Sequence, residues 1–159
     1  MIVLDTNILA EVMKPSPSEQ VLSWLGSHPK HQLYTTTVTQ AEILYGLQLL
    51  PKGGRRSELE AAVEAVFEED FAGRVLPFDG EAARMFAKIA AARRAMGRPI
   101  AQFDAQIAAI ARSRDAAVAT RNAEDFAGCG VAVINPWSSS RPGHSTLARS
   151  QSSPKNIPP

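Results

Sequence analysis

The sequence predicts an α/β domain with a central, mainly parallel sheet of about five strands. Three observations predict it. Short apolar runs at residues 2–4, 33–35, 74–78, 116–120 and 131–134 read as strands. Capped or amphipathic helical segments separate them, and strands joined through helices pair in parallel. Polar residues interrupt the pattern at strand ends, where open α/β sheets bind their ligands. Asp5-Thr6-Asn7, directly after Ile2-Val3-Leu4, is the first such interruption.

Each element follows from its own residues. After the first strand, residues 8–13 read as a short helix that Pro15 and Pro17 stop. Ser16 is a candidate cap for a second helix, with Pro17 at its first position. Val21, Leu22, Trp24 and Leu25 line that helix and Gly26 closes it. Residues 33–35 are the second strand. Thr37-Val38-Thr39-Gln40 has the form of a capping box opening a third helix, which Pro51 through Gly54 end. A fourth helix is expected over 57–71, with Leu59, Val63, Val66 and Phe67 as its apolar stripe. Residues 74–78 form the third strand. Asp79 caps a fifth helix whose buried side is Ala82, Met85, Phe86, Ile89 and Met96, and Gly97-Arg98-Pro99 stops it. A sixth helix starts near Ala101 and buries Phe103, Ile107 and Ile110. Residues 116–120 are the fourth strand, 122–126 a single helical turn and 131–134 the fifth strand. Asn135-Pro136-Trp137 ends the folded part. From 138 to 159 the text turns to Ser, Pro, Arg, Gly and Asn, the composition of a disordered extension. The expected organisation is one domain over 1–137 and a tail over 138–159.

Bulk properties narrow the function classes. A net charge of +1 argues against a strongly basic nucleic-acid coat or an acidic tail, although a local basic rim is compatible with it. The single cysteine, Cys129, forms no internal disulfide, which favours a reducing compartment. Asp5 arrives too early for a secretory signal core, and no apolar run approaches the roughly 20 residues of a membrane span. The expectation is a cytoplasmic protein that makes no use of a membrane.

The acidic residues carry the candidate chemistry. Asp5 follows a strand and precedes a helix, so helix capping is its competing role. Glu42 and Asp104 fall in early helical turns, where negative charge also favours the helix dipole. Asp125 has the setting of an ordinary surface charge. Topology changes that weighting. Helix starts that follow parallel strands face the carboxyl edge of the sheet, so Asp5, Glu42, Asp104 and Asn122 are placed to converge on one cleft. The position of Asp104 depends on the sixth helix, which follows another helix rather than a strand. Carboxylates gathered in one cleft repel and raise one another's pKa, and a hard cation such as Mg²⁺ or Mn²⁺ removes that repulsion. His28, His31 and His144 lack ligand spacing, which argues against zinc. No nucleophile elbow is present, and no Lys-Ser/Thr follows Gly53-Gly54 to make a phosphate loop.

These stretches carry a family resemblance. Leu4-Asp5-Thr6-Asn7, Thr39-Gln40-Ala41-Glu42, Asp104 through Ala109 and Ala119-Thr120-Arg121-Asn122 resemble the successive motifs of PIN domains. Lys14 through Pro17, Tyr45-Gly46, Leu50-Pro51, Arg93-Arg94, Gly97 through Ile100 and Ile134 through Trp137 extend the resemblance to the VapC toxins of bacterial toxin–antitoxin pairs, FitB-like subgroup. The resemblance spans nearly everything from Ile2 to Trp137 and implies the three-layer α/β/α PIN fold. It also implies a Mg²⁺- or Mn²⁺-dependent ribonuclease in which the 3′ oxygen leaves and a 5′-phosphate remains. By motif, Asp5 and Asp104 are the principal metal ligands, and Glu42 completes the cluster directly or through water. Many PIN domains have Asp where this chain has Asn122, so either the amide or Asp125 closes the site. Thr6 and Thr120 orient carboxylates by their hydroxyls. Among Arg55, Arg56, Arg93, Arg94, Arg98 and Arg121, the last is the leading candidate to hold RNA. A cognate antitoxin, and a homodimer within a hetero-oligomer, are further implications.

Two rivals remain at the sequence level. One is a degenerate PIN module that binds RNA or protein without cutting, a reading that Asn122 keeps open. The other is a phosphoryl-handling α/β domain. Its Asp-x-Asp nucleophile motif needs a second carboxylate where Asn7 stands.

Overall fold

The computed structural model describes residues 1–138. Its centre is a sheet of five strands in the order β3-β2-β1-β4-β5, with every neighbouring pair parallel. The strands are β1 (Ile2–Leu4), β2 (Leu33–Thr36), β3 (Val75–Leu76), β4 (Ala117–Ala119) and β5 (Val133–Ile134). The helices are α1 (Thr6–Val12), α2 (Glu19–Gly26), α3 (Thr37–Gln48), α4 (Gly54–Ala65), α5 (Gly80–Ala95) and α6 (Gln102–Arg112).

β1 organises the layers because its pleat sends side chains to both faces. Ile2 and Leu4 join Ile8, Leu9, Val21, Val63 and Phe67 in one apolar cluster. Val3 joins Ile89, Ile107, Ile110, Val118 and Phe126 in the other. Helices α1, α2 and α4 therefore cover one face, and α5 and α6 the other. Helix α3 contributes to both, through Leu47 and Val38 respectively. This is the expected three-layer α/β/α arrangement. From β1 the chain runs outward through β2 and β3, then returns to place β4 on β1's other side. The strand order thus reverses between β1 and β4, the point at whose carboxyl edge open α/β sheets bind ligands.

Several element boundaries differ from the sequence expectation. Helix α1 begins at Thr6 rather than residue 8, because the Asp5 side chain already accepts the Thr6 N–H. Helix α2 is preceded by Ser18, not Ser16. The Ser18 N–H is taken by the buried Glu11 carboxylate at 2.9 Å, so the Pro-containing segment is held back against α1. The cap of α3 is Thr36, whose hydroxyl accepts the Thr39 N–H at 3.0 Å, so the expected box at Thr37 lies one residue late. Helix α4 starts earlier than expected and gives way at Val66–Asp70 to a wider, π-helical turn. Strands β3, β4 and β5 are shorter than expected. Asp79 does cap α5, accepting the Ala82 N–H. Met96 and Phe103, expected inside, are 55% and 49% exposed.

The expected tail lies outside the described residues from Ser139 onward. Among the described residues, no helix is long and apolar enough to cross a membrane.

Candidate active site

Asp5 sits at the end of β1, beside the point where the strand order reverses. Its backbone N–H continues the sheet ladder by donating to the Ala119 carbonyl, so the residue is fixed before its side chain is considered. The side chain is almost fully buried and both its oxygens are engaged. Oδ1 accepts from the Thr6 N–H at 2.8 Å. Oδ2 accepts from the Thr120 hydroxyl at 2.7 Å and from Asn7 Nδ2 at 2.8 Å. Neighbouring strands β1 and β4 thus place Asp5 and Thr120 side by side, and the first turn of α1 supplies the rest.

Glu42 enters from the second turn of α3. Its Oε1 accepts from the Thr6 hydroxyl at 3.1 Å. That hydroxyl also lies 3.3 Å from Thr39 Oγ1, which in turn is 3.2 Å from the capping hydroxyl of Thr36. The cap of α3 and the second turn of the same helix are therefore wired to α1. Asp104 enters from the first turn of α6, and Asp125 from the short 3₁₀ turn Ala123–Phe126.

Their charges act on one another. Burial raises the pKa of Asp5, and the neighbouring Asp125 raises it further, against the lowering by its hydrogen bonds. Glu42 is raised chiefly by burial, with contributions from Asp5 and Asp104. Asp104 is pushed up to about 6, by burial first and then by Asp5 and Asp125, while the Arg93 guanidinium opposes the shift. Four carboxylates from α1's cap, α3, α6 and the 3₁₀ turn thus share one electrostatic cleft.

The donor set is all oxygen, which suits Mg²⁺ or Mn²⁺ and not a soft-ligand metal. Among the described residues no three acidic, histidine or cysteine side chains form a ready-made ion shell. Mg²⁺ binds through one or two carboxylates and retains several waters, so the carboxylates present fit such an ion without closing around it.

The structure brings Asp5, Thr6, Thr120, Glu42, Asp104 and Asp125 together. Asn122 is exposed, and its N–H donates to Thr120 Oγ1 at 3.0 Å. Asp125, not the Asn122 side chain, is the group whose charge reaches Asp5 and Asp104. Arg121 lies exposed on the rim. Arg93, one of the arginines considered for RNA, is buried and serves the fold. It donates to the carbonyls of Arg98, Asp125 and Ala127 at 2.7, 2.9 and 2.6 Å. Arg56 is engaged by Glu60 and Gln48. Tyr45 is 65% exposed.

Sequence reasoning missed the part played by Asn7, Asn135 and Trp137. Asn7 Nδ2 bridges Asp5 and Thr120, and its Oδ1 accepts from the Arg121 N–H at 3.1 Å. Asn135 Nδ2 donates to the Arg121 carbonyl at 3.3 Å, and its Oδ1 accepts from the Trp137 N–H at 2.9 Å. The available signal was position: Asn7 and Asn135 both stand just past strand ends.

Comparison with known proteins identifies the family of the fold. The PIN domain family model matches residues 2–128. The VapC ribonuclease Y4jK of Sinorhizobium fredii is 39% identical over 137 residues, covering 86% of this chain and 98% of that protein. Toxin FitB of Neisseria gonorrhoeae is also 39% identical over 137 residues, covering 86% and 99%. A solved structure of FitAB bound to a DNA fragment matches with a TM-score of 0.83 at 38% identity, over 90% of this chain and 100% of that one. With the acidic cleft at the β1–β4 switch point and relatives that match over nearly their whole length, the chain belongs to the PIN domain family, among the VapC and FitB toxins of toxin–antitoxin systems.

Proposed function

We propose that the protein is a Mg²⁺- or Mn²⁺-dependent endoribonuclease, the toxin of a toxin–antitoxin pair, which hydrolyses RNA phosphodiester bonds with an activated water. The observation that carries this reading is the convergence of Asp5, Glu42, Asp104 and Asp125 on one cleft at the carboxyl edge of the sheet, three of them with raised pKa. Such repulsion is costly in a site with no cation to relieve it.

Asp5 and Asp104 would hold the ion, and Glu42 would complete the acidic set. Asp125 completes the acidic wall on the far side, the place that Asn122 leaves without a charge. When bound there, such an ion would supply charge neutralisation and Lewis acidity toward the phosphate and the attacking water. Thr6, Asn7 and Thr120 fix the carboxylates so that little reorganisation accompanies the reaction. The Arg121 side chain lies on the rim and holds RNA.

Cleavage of total RNA by the purified protein, with Mg²⁺ or Mn²⁺ and with chelator, tests the reading. Asp5→Asn and Asp104→Asn each lose cleavage while circular dichroism shows an intact fold. Unchanged cleavage in both variants rejects the assignment. RNA binding by a wild-type protein that never cuts identifies the non-cleaving PIN module instead.

FitB is named a toxin, and the matching solved structure holds FitAB. By that likeness, the present chain pairs with a cognate antitoxin, as a homodimer within the hetero-oligomer. Affinity purification of the tagged chain from its native host, followed by size-exclusion chromatography and identification of any small protein that co-elutes, tests it. Elution of the chain alone rejects the pairing.

A further inference from the structure

Beyond the acidic cleft, one feature of the rim has the construction of a ligand site. The Arg121 guanidinium carbon lies over the Trp137 ring, 5.4 Å from its centroid. A continuous chain of hydrogen bonds leads from there to the reaction centre. Trp137 N–H donates to Asn135 Oδ1, and Asn135 Nδ2 donates to the Arg121 carbonyl. The Arg121 N–H donates to Asn7 Oδ1, and Asn7 Nδ2 donates to Asp5 Oδ2. Each asparagine offers an acceptor to one neighbour and a donor to another, which the isosteric aspartate cannot do while ionised. Both peptide groups of Arg121 are thereby fixed, while its side chain stays exposed. Trp137 is half-buried and packs on the core beneath β1.

A fixed backbone, a guanidinium seated on an indole and an exposed outer face are the elements of a stacking platform. Single-stranded RNA is recognised by stacking of splayed bases on aromatic rings and guanidinium planes. We propose that the Arg121–Trp137 pair is a nucleotide subsite, where a base of single-stranded RNA next to the scissile phosphate stacks. The inference rests on the ribonuclease reading and extends it. Arg121 is more than a charge on the rim, and Trp137 acts through it as a positioning residue. The asparagine relay sets the distance from the seated base to Asp5.

The test is binding without cleavage. In an Asp104→Asn background with chelator, Trp24→Phe leaves Trp137 as the sole tryptophan. A short oligouridylate is titrated in, with anisotropy and Trp137 emission followed together. An abasic oligomer of equal length and charge is the control. Emission is expected to change with the same midpoint as anisotropy. The abasic oligomer is expected to bind roughly tenfold more weakly, the scale of one lost stacking contact, and to leave emission unchanged. Arg121→Lys, which keeps the charge but not the planar group, is expected to lose nearly as much affinity as Arg121→Ala. Melting temperatures of both variants should match the parent, since the hydrogen bonds of Arg121 are made by its backbone. Equal binding of both oligomers, or full affinity in Arg121→Lys, overturns the proposal but leaves the nuclease reading standing. Failure of both oligomers to bind overturns both.

Discussion

Three donors converge on the Asp5 carboxylate, and they come from three directions: the Thr6 N–H, Asn7 Nδ2 and the Thr120 hydroxyl. A carboxylate held this way cannot swing away from its acidic neighbours. Asn7 is the member of this set whose substitution is most informative, because it also carries the link to Arg121. Asn7→Ala removes a donor from a buried carboxylate and an acceptor from a rim N–H. Loss of a residue that orients a metal-binding carboxylate costs on the order of 10–100-fold in metal affinity or activity. The expected outcome is a fall of that size in cleavage, with partial recovery at high Mn²⁺. Steady-state assays across a metal titration check it, and wild-type activity in Asn7→Ala removes Asn7 from the site. Asp5, Glu42 and Asp104 were legible in the sequence because a carboxylate at a strand end or helix start stands out from its surroundings. Asn7 was not. Its contacts to Thr120 and Arg121 span 113 and 114 positions, and no local pattern reports a partner so distant.

At the scale of elements, the 3₁₀ turn Ala123–Phe126 is the part of the site with the least secondary structure of its own. Two anchors hold it. Phe126 is buried in the α5–α6 side of the core. The Arg93 guanidinium, reaching from α5, donates to the carbonyls of Asp125 and Ala127 on one side and Arg98 on the other. Arg93→Met keeps most of the apolar stem but leaves three carbonyls without their donor. Charge-assisted bonds of this kind are worth about 1.5–3 kcal/mol each, so a loss of at least about 3 kcal/mol is expected. Urea unfolding measures it, and a change below about 1 kcal/mol shows that water replaces the guanidinium. The same buried charge explains why the doubled arginine was misleading in the sequence: spacing alone does not tell a solvated cation from one that ties loops together. Helix ends were misplaced for a related reason. Thr36 and Thr37 are equally good caps by composition, and the choice falls to Thr36 because β2 ends on it. Met96 and Phe103 follow helical spacing, yet Met96 caps the end of α5 and Phe103 lies in the first turn of α6, and both are exposed.

For the whole molecule, the parallel sheet and its layers followed from strands separated by helices, but the order β3-β2-β1-β4-β5 did not, because nothing local states which side of β1 receives β4. That order creates the cleft, and the cleft links stability to pH and, on the proposed reading, to metal. Asp5, Glu42 and Asp104 all have pKa values raised by folding, Asp104 from 3.8 to about 6. The folded state therefore binds more protons than the unfolded chain between about pH 4 and pH 6. The contribution of these groups is fully present below the ordinary carboxylate range and is lost as pH rises through the folded values. Glu11 and Asp79 have lowered values and act in the opposite sense, losing their contribution as pH falls below the ordinary range. A difference between wild type and Asp104→Asn isolates the cluster, since Glu11 and Asp79 are common to both. With chelator, Asp104→Asn is expected to melt above wild type at pH 7.5, and the gap is expected to close as pH falls towards 4. Added Mn²⁺ should raise the wild-type melting temperature at pH 7.5 and leave Asp104→Asn nearly unmoved, because a cation that binds only the folded cluster stabilises by mass action. A pH-independent gap, or equal Mn²⁺ shifts in the two proteins, means that Asp104 neither repels its neighbours nor holds the ion.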